Sequence, residues 1–380
     1  MSCIDSRLRG NDNLFLIKKS MYKKLGFFLS IVVAMVLAGA GCINLGGSTA
    51  TGPTGMFRSG DKGESWQQIT TYPTAQGVQS IAGVRVTKLF NDPSDPKAFY
   101  LGSRGQGLYY TYDSGNTWQS FSQLAGKFIY SVAVDPKNKC NIYASDGANI
   151  YQTNDCGRNW GLSYTEQLSG TNVIALGVDY GDSRKIYAAE DTGDVLQSDN
   201  WGQGWHVVKR FSFSLKDMVV DNNQSGRIYV AAAARGLWRS DDGGSNWIDL
   251  NQAFASYSNS TQFFRLVLNP AQANSLFWIS KYGILRSDDA GSTWTDLKLI
   301  TPPGSVDIYG FSINPVNQKE IYYTGTILNS DGTPVRSTFY RSTDGGVNWV
   351  TKKLPTNTIP VTMRMPPDGS QLFLGFTLLK

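Results

Sequence analysis

The chain has 380 residues, of which 40 are glycine, with 12% aromatic and only 17% charged side chains. That balance is too apolar for a disordered chain, and its turns and rings suit an all-β protein. Residues 1–41 hold six basic and two acidic side chains, so the net charge of +5 falls to +1 for the remainder, which removes the electrostatic case for nucleic-acid binding.

A single histidine, His206, excludes a multi-histidine metal centre, and no cofactor or metal site is expected. Glutamate is scarce: Glu64, Glu166, Glu190 and Glu320 are all there are.

At the N-terminus a basic run, Met21-Tyr22-Lys23-Lys24, precedes an uncharged apolar stretch and the small residues Gly39-Ala40-Gly41 before Cys42. This is the pattern of a bacterial secretion signal. The cysteine after Ala-Gly resembles a lipobox, with Gly39 where leucine is usual and Leu37 two positions earlier. It implies acylation of Cys42 and an exported, membrane-anchored protein. An uncleaved anchor is the alternative, but Leu25–Gly41 has only 17 residues, short for a bilayer. Polar residues 1–20 do not belong to such a signal and read as translated upstream sequence, with Met21 as the start. The expected organisation is an N-terminal extension and signal over 1–41, a small-residue tether over 42–55, and one folded body over 56–380.

Within that body an eight-residue pattern, Ser/Thr-x-Asp-x-Gly-x-x-Trp, recurs seven times. Its acidic position is Asp61, Asp113, Asp155, Asn200, Asp242, Asp289 and Asp344. Its last residue is Trp66, Trp118, Trp160, Trp205, Trp247, Trp294 and Trp349, spaced 52, 42, 45, 42, 47 and 55 residues apart. Such a period means stacked supersecondary units. The carboxylate can accept backbone N–H groups of its own turn, the glycine supplies positive φ, and the tryptophan fills the space between neighbouring units.

A second repeat, an apolar strand ending in Asp-Pro or Asn-Pro (Asp92-Pro93, Asp135-Pro136, Asn269-Pro270, Asn314-Pro315), comes before each turn, with degenerate forms at Asp179 and Asp221. Each unit then reads as strands A, B, C and D, with the box between C and D. The first box, at Ser59, has only C and D around it; the chain ends with only A and B, Val361–Met365 and Leu372–Thr377. The two halves make one split blade, so the expected fold is a seven-bladed β-propeller of four antiparallel strands per blade, closed by its termini and monomeric.

The box resembles the Asp-box, or BNR repeat. The chain is most similar to the photosystem II stability/assembly factor family in size, in one propeller with one box per blade, and in its lipoprotein signal. It is more distantly similar to sortilin-type and sialidase-type propellers. Sialidases use six blades, sortilin-type receptors ten, and xyloglucan-type glycosidases pair two seven-bladed propellers in a longer chain. The resemblance implies a non-enzymatic, membrane-tethered scaffold that binds a protein partner. The alternative is a glycoside hydrolase, sialidase- or xyloglucanase-like, or a propeller that binds a glycan. No catalytic residue is assigned. Only Glu166 and Glu190 of the four glutamates could face a glycosidase site, and a pair of aspartates remains open.

Recognition is expected at the end opposite the boxes, where the B–C turns carry Arg104, Asp146, Glu190-Asp191, Arg235 and Lys281-Tyr282, and blade six has a long loop at about 327–337. Four residues before each Asp/Asn of the second repeat lies a row facing the channel: Lys88, Ser131, Ala175, Asp217, Arg265 and Gly310, with Thr362 from the split blade. Lys88, Asp217 and Arg265 there are either a recognition element or an ion network that solvates the channel. Cys140, at the start of a strand B, and Cys156, in the following box, fall opposite each other. They are expected to be either bridged, as export favours, or two buried thiols.

Overall fold

Strand B of each repeat reads as an unbroken apolar run because a neighbouring blade covers each of its faces. Phe99–Ser103, Ile186–Glu190, Ile228–Ala232, Leu276–Ser280 and Leu372–Thr377 are buried at every position. Strand D, on the outside, is mostly exposed, as in Gly161–Thr165 and His206–Arg210. The computed structural model describes residues 53–232 and 234–377; the predicted signal, Cys42 and most of the tether lie outside the described residues.

Seven four-stranded antiparallel sheets make a seven-bladed β-propeller. Six blades are formed by consecutive strands, with inner strands A at Val86–Asn91, Ser131–Asp135, Val173–Val178, Leu215–Val220, Phe263–Leu268 and Asp307–Asn314. The seventh is split: Ile359–Arg364 and Leu372–Thr377 from the C-terminal end pair with Gly55–Ser59 and Gln67–Gln68 from the N-terminal end. Its closing ladder runs from Gly55 opposite Phe376 to Ser59 opposite Leu372. Apolar clusters fill the seams between blades. Tyr229 and Leu237 of blade four, for instance, pack with Trp278, Leu285 and Trp294 of blade five.

Each box is tied from within. The Ser/Thr hydroxyl accepts the glycine N–H, from 2.7 Å at Gly63 to 3.0 Å at Gly157. The acidic side chain accepts the N–H four residues on, at 2.8–2.9 Å, and Asn200 does this with its amide oxygen as well as the aspartates do. Two consecutive residues, not only the glycine, adopt positive φ: Lys62-Gly63, Ser114-Gly115, Cys156-Gly157, Trp201-Gly202 and Ala290-Gly291 all do so. In blades one, two, three and five the first of the pair donates its N–H back to the residue leading into strand B, as Ser114 does to Lys97 and Trp201 to Arg184. In blade two these positions are Cys156 and Cys140. They are bonded as a disulfide with Cα atoms 3.9 Å apart, a closeness that comes from the backbone contact found at this point in other blades.

Two elements differ from the sequence reading. The connection from the split blade to blade one forms an additional hairpin, Thr71–Thr74 with Gly77–Ser80. In blade six the expected long loop is instead a continued ladder: strands Asn317–Leu328 and Pro334–Ser342 stay paired out to Leu328 opposite Pro334. Ile327, Arg336 and Val335 keep enough strand character to extend the hairpin beyond the other blades.

The inner strands share one irregularity that matters for the channel. Six of them shift register just before the inward-facing row, between Val86 and Lys88, Val173 and Ala175, Leu215 and Asp217, Phe263 and Arg265, Ile308 and Gly310, and Pro360 and Thr362. A bulge adds one residue, bends the strand and re-aims side chains. Row members also link the strands: Leu176 N–H donates to Ser131 Oγ at 3.0 Å and Leu89 N–H to Thr362 Oγ1 at 3.2 Å.

Candidate functional site

At the end opposite the boxes, the seam between blades two and three gathers two of the four glutamates. Glu190 ends strand B of blade three and is 3% exposed; Glu166 follows strand D of blade two, anchored by its N–H on Ala148 O at 2.8 Å. The Tyr164 hydroxyl lies 2.6 Å from Glu166 Oε2 and 3.2 Å from Glu190 Oε1, and the two carboxyl groups hydrogen-bond each other. Leu168 N–H donates to Glu166 Oε1 at 2.7 Å.

Two like charges this close cannot both ionise at neutral pH. Burial, then the hydrogen bond and charge of Glu166, push Glu190 up to about 8. The bond from Glu190, with those from Tyr164 and Leu168, holds Glu166 down at about 2. The pair therefore titrates in two separated steps and carries one proton, on Glu190, across the neutral range.

The surroundings continue along the same face. Asp191 accepts the backbone and side-chain N–H groups of Asn172 at 2.9 and 2.8 Å. Asn172 and Tyr130 bracket Gly147, where φ is +98° and an added Cβ would lie 2.8 Å from Asn172 Oδ1 and 2.9 Å from the Tyr130 ring. Tyr130 packs on Phe128 with ring centroids 4.3 Å apart, and the Arg104 guanidinium stands over Phe128 at 6.0 Å. A half-exposed aromatic step thus lies across Asn172 from Asp191, the sequence neighbour of Glu190. Aromatic faces take the C–H face of a sugar, and a carboxyl that keeps its proton at neutral pH can protonate a leaving oxygen.

Of the other residues expected at this end, Asp146 adjoins Gly147 in that strip, whereas Arg235, Lys281 and Tyr282 lie on blades four and five. Arg235 is exposed in its turn on blade four. Lys281 pairs with Asp307 at 2.6 Å, and the Tyr282 hydroxyl donates to Asp296 at 3.2 Å while its ring packs edge-on against Tyr257. Asp146 accepts from Lys127 at 2.9 Å and Tyr151 at 3.0 Å.

Inside the channel, Lys88 Nζ lies 3.6 Å from Asp217 Oδ1. Arg265 lies near them, and Arg364, absent from the predicted row, joins them from the split blade. Sequence reading missed Arg364 although it lies two residues beyond Thr362, the next inward-facing position of an alternating strand. It also missed Tyr164, Phe128, Tyr130 and Asn172, whose grouping depends on the blade-two to blade-three seam and has no local motif.

A family model described as Sortilin, neurotensin receptor 3, matches residues 54–173. Xyloglucanase Xgh74A from Acetivibrio thermocellus is 26% identical over 239 residues, covering 50% of this chain and 28% of that protein. Among solved structures, the GH74 xyloglucanase from Xanthomonas campestris superposes with a TM-score of 0.63 at 16% identity, over 82% of this chain and 52% of that one. YCF48 from Cyanidioschyzon merolae superposes with a TM-score of 0.57 at 12% identity, over 77% of this chain and 95% of that one.

The chain thus spans about half the length of the solved xyloglucanase and less than a third of the curated relative. The structural likenesses establish a shared propeller. The curated sequence relatives correct the expectation of a non-enzymatic scaffold, because they are enzymes, xyloglucanases, from bacteria and from the fungus Hypocrea jecorina. The expectation rested on a likeness in size and blade count, which the sequence relatives do not share.

Proposed function

We propose that the propeller is a glycoside hydrolase module acting on a β-glucan such as xyloglucan. The observation that carries this reading is the Glu166–Glu190 pair joined by the Tyr164 hydroxyl, whose burial and mutual contact favour a proton on Glu190, on the face that also carries the Phe128–Tyr130 step. The sequence relatives support the substrate class.

In this reading Glu190 is the general acid, Glu166 sets its proton affinity, and Tyr164 fixes their geometry. Arg104 and Asn172 flank the glycan path. The two glutamates are in hydrogen-bond contact, whereas the two catalytic carboxyls of glycosidases stand about 5–9.5 Å apart. The second catalytic carboxylate therefore lies outside this pair, elsewhere on the same face or on a second propeller seated against it. Export and anchoring through Cys42 belong to the proposal, since they would put such an enzyme where polysaccharide is.

The test is release of reducing ends from xyloglucan by the purified chain, with Glu190→Gln and Tyr130→Ala beside the parent. Loss of the acid is expected to lower kcat about 10²–10⁴-fold, and loss of the ring to raise KM with kcat less affected. Absence of turnover by the parent on xyloglucan and on unsubstituted β-glucans, with the glycan still retained, would reduce the proposal to a carbohydrate-binding propeller. Absence of both binding and turnover would end it.

A further inference from the structure

The bore of the propeller, away from the glutamate pair, has an unbalanced charge. Lys88, Arg265 and Arg364 enter it against a single carboxylate, Asp217. Asp217 is 3.6 Å from Lys88 and also accepts the Met218 N–H at 3.0 Å. The guanidinium groups are bonded only to neutral carbonyls. Arg265 Nη2 donates to Val361 O at 3.0 Å, while its Nη1 is buried with no acceptor among the described residues. Arg364 Nε donates to Leu89 O at 3.1 Å and Nη1 to Met363 O at 3.3 Å.

Arg265 Nη1 is one of 14 buried side-chain atoms without a partner among the described residues, and of these it is the one on a cation that lines the bore. The strain shows in the cations. Burial, with further repulsion from Arg265, lowers Arg364 to about 9, and burial lowers Lys88 against the pull of Asp217. The bulges in blades one, four and five, which precede Lys88, Asp217 and Arg265, aim three of the four charges inward.

These groups line a cavity of about 540 Å³, a size typical of small-ligand sites. Pro93, Pro270, Pro315 and Pro367 stand at its outer rim, so it opens at the end that carries the Asp-Pro loops and the boxes. The proline-bounded loops make a rigid mouth, because ring closure fixes φ.

We propose that this bore is an oxyanion-binding site: a small phosphate- or carboxylate-bearing anion enters from the box end and is gripped by Arg265 and Arg364, with Lys88 as a third cation. Guanidinium forks match paired oxygens, and Arg265 Nη1 supplies a donor that no group among the described residues uses. Asp217 holds Lys88 in place and leaves two positive charges for the ligand, which disfavours neutral sugars here. The site is at the opposite end from the glutamate pair and does not depend on the hydrolase reading.

Titration calorimetry of the purified chain at low ionic strength, with inorganic phosphate in one series and citrate in the other, tests it. One saturable site is expected, weakened about tenfold or more by Arg265→Met or Arg364→Met and unchanged by Lys298→Met on the outer surface. Unfolding curves accompany each variant, and Arg265→Lys, which keeps the charge and loses the fork, serves if the methionine variants do not fold. Binding of phosphate alone assigns a phosphate ligand, and binding of citrate alone a carboxylate. No saturable binding of either anion to the parent, or equal affinity in the arginine variants, overturns the proposal.

Discussion

Replacing Glu190 with glutamine should leave stability unchanged near pH 5 and raise it progressively as pH rises. Glu190 sits at about 8 when folded, against an ordinary 4.5. A carboxyl raised on folding contributes stability that is fully present below its unfolded value and is lost as pH rises through its folded value. Between pH 4.5 and 8 the unfolded chain releases this proton and the folded chain keeps it, so stability falls with rising pH. Glu166 works the other way. It is lowered to about 2, so its contribution is present above 4.5 and is lost only as pH falls through about 2. The pair therefore favours the fold most near pH 4–5.

The shift of Glu190 sets a ceiling of ~5 kcal/mol on its loss between pH 5 and 9. Its position at the end face, with Glu166 partly solvated, brings the expected figure to ~1–3 kcal/mol after screening. Glutamine matches the protonated side chain in volume and still donates to Glu166, so the variant should equal the parent near pH 5 and exceed it by that amount at pH 9. Urea unfolding of both proteins at five pH values between 5 and 9 measures this, because every other titrating group cancels in the difference. A difference flat to within ~0.5 kcal/mol would refute the shared proton and the acid role built on it. Hydrolysis by the parent, where present, should likewise decline as pH passes about 8.

Gly157 and Gly126 both have positive φ, +85° and +75°, but a Cβ on Gly157 would lie 2.1 Å from the Phe121 ring while one on Gly126 meets nothing within 4 Å. Gly126→Ala should cost ~1–2 kcal/mol from backbone strain alone, Gly157→Ala a further ~1–3 kcal/mol, and equal chemical-denaturation midpoints would contradict the packing. Cys140→Ser with Cys156→Ser opens a loop of 16 residues and should lower stability by ~3 kcal/mol, with intact mass showing two hydrogens fewer in the unreduced parent; free thiols at Cys140 and Cys156 in peptide maps of that parent would remove the bridge. Deleting residues 358–380 takes strands A and B, with Met363, Phe373 and Phe376, from the split blade; the product should aggregate, and a cooperative melt like the parent's would contradict closure through the termini. Cys42→Ser should abolish acyl labelling and membrane partitioning in a bacterial host, and undiminished labelling would remove the anchor.

The fold was legible because its signals are local. Each box satisfies itself within eight residues, so Asp113 or Asp344 declares a turn wherever it lies, and seven turns at a blade-length spacing leave few architectures. Even the departure at Asn200 was readable, since an amide oxygen accepts the same N–H. The long hairpin of blade six was not, because whether Ile327 and Arg336 pair or loop depends on cross-strand register, which composition does not fix. The channel row was legible through strand alternation as far as it was followed, and Arg364 lay one step beyond. Glu166 and Glu190 were singled out together in the sequence, but their contact was not legible there. Glu166 and Glu190 are 24 residues apart on different blades, and what unites them, a seam, a shared tyrosine and one proton, exists only in three dimensions.

That contrast bears on where chemistry can sit in such a molecule. At the box end the side chains are consumed by the turns: backbone N–H bonds hold Asp155 and Asp344 at about 2, so these carboxylates are ionised and occupied, and no proton is available from them near neutrality. At the other end the turns differ from blade to blade and are under no such demand. At the seam of blades two and three, burial and the neighbouring Glu166 together raise Glu190, while hydrogen bonds keep Glu166 ionised. The bore obeys the same logic with opposite sign, its cations crowded by bulged inner strands around one aspartate. A propeller whose boxes hold themselves can therefore vary its other turns and its bore, because neither the glutamate seam nor the bore cations draw on the residues that tie the boxes.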